Sequence, residues 1–98
     1  MDDSSSPVRL HATVHGRVQG VGFRAYTYNS AHRIGLVGWV RNRFNGTVET
    51  VAEGERHQLE LFLRDLQRGP GPSSVTQIDS DWLPATGEFS EFEVRWTA

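Results

Sequence analysis

The segment HGRVQGVGFRAY, His15 to Tyr26, sets three glycines and two arginines within twelve residues. A plain turn needs one glycine, so this density of backbone freedom beside positive charge points to a loop that closes around an anion. Backbone N–H groups in a tight curl converge into an anion nest. Here RVQGV, Arg17 to Val21, curls between strand and helix, and the candidate donors are the amides of Gln19, Gly20, Val21, Gly22 and Phe23. If a helix starts near Gly22, its unpaired first-turn N–H groups add about half a positive charge at its end. Gly20 and Gly22 let the backbone approach a ligand closely. Arg24 falls in the first helical turn, where a cation opposes the helix dipole unless an anion lies between them. A guanidinium there can offer phosphate oxygens a bidentate contact.

The flanking elements must position that loop. Val8, Leu10, Ala12 and Val14 alternate with Arg9, His11, Thr13 and His15, the period of a half-buried strand. After the loop, Phe23, Tyr26 or Thr27, Ser30, Ala31 and Ile34 fall at helical spacing, closed by Gly35. LVGWVRNR and GTVETVAEG read as two strands joined through Asn45-Gly46, which predicts a type I′ hairpin with both residues at positive φ. Leu59, Phe62, Leu63 and Leu66 mark an amphipathic helix ending at Gly69-Pro70. VTQIDSDWLP predicts a strand stopped by Pro84, and EFEVRW a last strand. The order βαββαβ plus a terminal strand is an α+β, ferredoxin-like split βαβ sandwich. It predicts an antiparallel sheet with both helices on one face.

Length and composition set the outer limits. Ninety-eight residues with 37% apolar and 22% charged residues suit one domain with one core. The sequence predicts a flexible tail over 1–6 and a single domain over 7–98. No apolar run reaches the ~20 residues of a membrane span, and MDDSSSP lacks the features of a signal peptide, which argues for a cytoplasmic protein. With no cysteine and no lysine, thiolate metal sites, a Cys nucleophile, Schiff-base chemistry and a Walker-type lysine are all excluded. Net charge is −2, which argues against a nucleic-acid partner. Its distribution is uneven: residues 1–48 carry +4 and residues 49–98 carry −6. That asymmetry suggests a small anionic ligand near the first half.

Rival readings fail on spacing. GVGFRA fits the dinucleotide fingerprint, but Asn42 and Arg43 stand where an acidic residue is needed, and the next strand leads into a hairpin. An RNA-recognition domain shares the element order, yet Trp39 and Phe44 are five residues apart and fall on opposite faces of a strand. His11 and His15 are separated by about 13 Å of strand, too far to chelate one metal ion.

The motifs VHGRVQGVGFR and GLVGWVRNRFNGTVETVAEG, separated by a helix, resemble the two signatures of the acylphosphatases, and the likeness runs from about Val8 to Trp96. The resemblance implies hydrolysis of acyl phosphates to a carboxylate and inorganic phosphate, by in-line water attack. It implies no metal, cofactor or phosphoenzyme. Matched by motif, Arg24 would bind the phosphate and Asn42 would orient the attacking water. The implied partners are an acyl phosphate substrate and inorganic phosphate as product and competing ligand, handled by a monomer. Gly22, often a larger residue in the family, suggests a looser loop here. The competing expectation is a non-catalytic anion-binding module on the same scaffold, like the domain found in hydrogenase-maturation proteins.

Overall fold

The computed structural model describes residues 6–98, so the expected tail lies, apart from Ser6, outside the described residues. The chain runs β1 (Val8–Arg17), α1 (Phe23–Ile34), β2 (Val37–Asn42), β3 (Val48–Gly54), α2 (Arg56–Arg68), β4 (Ser74–Pro84) and β5 (Phe92–Val94). One five-stranded sheet has the order β4-β1-β3-β2-β5. Both helices cover one face of it: α1 lies over β2, β3 and β5, and α2 over β1, β3 and β4. This is the predicted α+β ferredoxin-like arrangement with one correction. β5 pairs with β2 in parallel, through Gly38↔Phe92 to Val40↔Val94, so the sheet is mixed. The reason is topological: the chain crosses from β4 at one edge to the opposite edge and arrives running in the direction of β2.

Register explains the core. Leu10, Ala12 and Val14 on β1 face the helices, paired with Ala52, Thr50 and Val48 on β3. On α2, Leu59, Phe62 and Leu66 are buried against them while Leu63 is half-buried, as its spacing predicts. The helix opens with a reciprocal cap, in which Glu55 N donates to Gln58 Oε1 at 3.0 Å. The weaker stripe on α1 buries Phe23, Thr27, Ser30 and Ala31. Polar bonds supplement its packing, since Ser30 Oγ donates to Asp65 Oδ2 at 2.6 Å and Tyr26 Oη to Asp65 O at 2.8 Å.

The hairpin differs from its sequence expectation. Among the described residues no non-glycine has positive φ, so Asn45 does not, and the turn is not type I′. Gly46 N donates to Arg43 O at 3.1 Å, Arg43 N donates to Thr47 O at 2.8 Å, and Gly46 alone takes φ 93°. This is a type I turn followed by a bulged glycine. Asn45 earns its place through its side chain, whose Oδ1 accepts from Thr47 N at 3.1 Å and Thr47 Oγ1 at 2.6 Å.

Candidate active site

Between β1 and α1 the chain curls through Val18 to Gly22. Gly20 and Gly22 adopt φ 72° and 80°, the left-handed region. A Cβ at either position would meet no other atom within 4 Å. The glycines are therefore required by conformation and not by crowding from the rest of the chain. Gly22 caps α1 without any side-chain bond, and the first turn holds no acid. Tyr26 N is the first amide of this stretch with a backbone acceptor, Gly22 O at 3.0 Å. Among the described residues, the N–H groups from Gln19 to Ala25 donate no hydrogen bond within the chain. A helix N-terminus of this kind attracts negative charge.

Asn42 closes β2. It pairs with Val48, which pairs in turn with Val14, so all three lie in one row on the helix-covered face. That register carries Asn42 to the end of the sheet where α1 begins. There a cleft of about 380 Å³ is lined by Val18, Gly20, Gly22, Phe23, Arg24, Ala25, Asn42 and Val94. Of the residues singled out from sequence, Gly20, Gly22, Phe23, Arg24 and Asn42 come together here. Gln19 and Val21 do not line the cleft: Gln19 turns toward the hairpin, and Val21 packs against the core. Three apolar lining residues, Val18, Ala25 and Val94, were not anticipated. Val94 comes from the parallel strand β5, whose position the sequence alone does not disclose.

Electrostatics refine the charge argument. Four of the six arginines in residues 1–48 have acidic partners drawn from the second half: Arg9 with Glu53 and Glu88, Arg33 with Asp65, and Arg41 and Arg43 with Glu49. The charge asymmetry is thus largely internal, which corrects its reading as a sign of ligand alone. Among the described residues Arg24 makes no ion pair or side-chain hydrogen bond, and neither does the side chain of Asn42.

Behind the site, on the face away from the helices, Glu49 is buried. It accepts from His11 Nε2 at 2.6 Å, Arg41 Nε at 2.8 Å and Arg43 Nη1 at 3.1 Å. Burial pushes its carboxyl pKa up, but these donors outweigh burial and hold it below the ordinary value. Glu53, also buried, accepts from Arg9, from the backbone N–H groups of Thr86 and Gly87, and from Thr86 Oγ1. Burial likewise raises it, and those bonds again win and lower it. His15 is paired with Asp79 at 2.8 Å.

Fold and cleft define a small α+β protein with a guanidinium and a carboxamide, both unpaired among the described residues, at the N-terminal end of its first helix. A model of the acylphosphatase family matches residues 10–94. An acylphosphatase of Syntrophotalea carbinolica is 48% identical over 90 residues, covering 92% of this chain and 98% of that one. The crystal structure of acylphosphatase from Bacillus subtilis superposes with a TM-score of 0.87 at 35% identity, covering 90% of this chain and 98% of the other. Full-length HypF in its phosphate- and nucleotide-bound form matches with a TM-score of 0.84 at 28% identity, covering 94% of this chain but 12% of HypF. The chain belongs to the acylphosphatase family. It is an enzyme of that activity, and the non-catalytic module is not the favoured reading.

Proposed function

We propose that the cleft at the N-terminus of α1 is the active site, that the backbone N–H groups of Gln19, Gly20, Val21, Gly22 and Phe23 together with the Arg24 guanidinium bind the phosphoryl group, and that Asn42 directs the attacking water. The observation that carries this reading is the meeting, in one cleft, of unused amide donors, an unpaired guanidinium and an unpaired carboxamide. An acyl phosphate has a good leaving group, so catalysis consists mainly of positioning and of stabilising charge on the equatorial oxygens. The loop amides and Arg24 supply donors to those oxygens without needing to reorganise. A carboxamide takes no proton, so Asn42 holds the water in line and does not act as a base.

The water oxygen bonds to phosphorus and the bond from phosphorus to the acyl oxygen breaks. The electron pair leaves with the carboxylate, and the protons of the water end on the phosphate product and solvent. Inorganic phosphate is then both product and competing ligand. A monomer in the cytoplasm completes the proposal.

The test is an ultraviolet assay of benzoyl phosphate hydrolysis in the presence of a chelator. Chelator-resistant turnover, inhibited competitively by phosphate, supports the reading. Saturable phosphate binding without turnover rejects it.

A further inference from the structure

Gln19 lies inside the loop yet does not line the cleft. Its side chain crosses to the hairpin, where Nε2 donates to Arg43 O at 2.7 Å and to Thr47 O at 2.9 Å. A primary amide carries two N–H groups, and both are used. The two acceptors are the carbonyls that define the bulged turn, since Arg43 O also accepts from Gly46 N and Thr47 O from Arg43 N. Arg43 directly follows Asn42. One half-buried side chain therefore ties the loop to the residue next to Asn42, across 24 positions of sequence.

We propose that Gln19 is a positioning residue whose side-chain amide fixes the spacing between the phosphate loop and Asn42. The inference rests on the roles given to the loop and to Asn42 in the preceding subsection. The loop and Asn42 belong to different elements, one entering α1 and the other ending β2, so their separation is not set by either alone. In-line attack is sensitive to such spacing, because a misplacement of about 1 Å can cost roughly a hundredfold in rate. Phosphate binding is not sensitive in the same way, because its donors all lie within the loop and the first turn of α1. Loss of the tie should therefore appear in kcat and not in affinity for phosphate.

The experiment measures kcat and the inhibition constant of inorganic phosphate, with benzoyl phosphate as substrate. The proteins are wild type, Gln19→Leu, Gln19→Glu, Asn42→Ala and the double variant Gln19→Leu/Asn42→Ala, each with thermal unfolding as a control for folding. Gln19→Leu should lower kcat about tenfold or more while the phosphate constant stays within about twofold. In the Asn42→Ala background the same change should cost almost nothing further, because the residue it positions is gone. In Gln19→Glu a carboxylate faces two carbonyl oxygens and cannot donate, whereas its protonated form can. Relative to wild type, kcat of this variant should therefore rise as pH falls, a response that loss of packing alone does not produce.

If Gln19→Leu does not fold, the Gln19→Glu profile decides the matter, and a ratio to wild type that is flat with pH overturns the inference. A folded Gln19→Leu with unchanged kcat, a loss confined to phosphate affinity, or full additivity with Asn42→Ala overturns it as well. Failure of the underlying reading looks different: wild type would not turn over, or Asn42→Ala alone would be fully active.

Discussion

Arg41 Nε and Glu49 Oε1 lie 2.8 Å apart, facing each other across the β2–β3 ladder. The same oxygen accepts from Arg43, so one buried carboxylate holds the two residues on either side of Asn42. Glu49→Ala removes the shared acceptor and leaves two guanidiniums and His11 without their partner. Stability should drop by about 1–3 kcal/mol, read as a lower urea midpoint at unchanged slope.

Arg24 and Asn42 are expected to fail in different ways. On the proposed reading, Arg24→Ala removes a donor that binds the phosphoryl oxygens in the ground state and more strongly as charge builds in the transition state, so turnover should fall about a hundredfold and phosphate inhibition should weaken with it. Asn42→Ala should cost about as much in turnover while phosphate inhibition stays within about twofold. Steady-state kinetics with phosphate as inhibitor, on variants shown to be folded, separates the two patterns; the reverse result would exchange the assigned roles.

Gly22→Ala tests the loop conformation directly. At φ 80°, with no atom within 4 Å of an added Cβ, the penalty is conformational, about 1–2 kcal/mol. The expected outcome is a lower melting temperature together with weaker phosphate inhibition, since the strain falls on the segment that carries the amides.

Stability should depend on acid through Glu53 as well as Glu49. The folded-state pKa of Glu53 lies below its ordinary value of 4.5. Its contribution is therefore complete above about pH 4.5 and is lost as pH falls through the lower folded value. Denaturant titrations should show stability declining on acidification below that point. Glu53→Gln should flatten part of the decline, and Glu49 should account for part of what remains.

The fold was legible where local signals were strong. The β1 alternation, the Leu59–Leu66 stripe and the Asn45-Gly46 corner each identified their element. The corner's geometry was missed because Asn45 acts through its side-chain oxygen and not through positive φ. The antiparallel expectation failed at β5, since strand direction across a sheet depends on a crossover that no local pattern encodes. Of the residues that line the cleft, Gly20, Gly22, Arg24 and Asn42 could be named from their types and motif positions. Val94 and the side-chain tie of Gln19 could not, because both depend on segments far apart in sequence meeting at one end of the sheet. The internal pairing of Arg9, Arg33, Arg41 and Arg43 was equally hidden, and it changed what the charge imbalance meant.

That pairing also bears on how a dianion reaches the cleft. With most of the first-half guanidiniums tied to carboxylates and a net charge of −2, the molecule projects little attraction beyond the roughly 8–10 Å over which salt leaves a field intact. Capture is thus a matter for short-range donors, and encounter rates should be nearly indifferent to ionic strength. With the loop acting as proposed, such an enzyme would screen visitors by whether a tetrahedral group fits it, with charge at a distance counting for little.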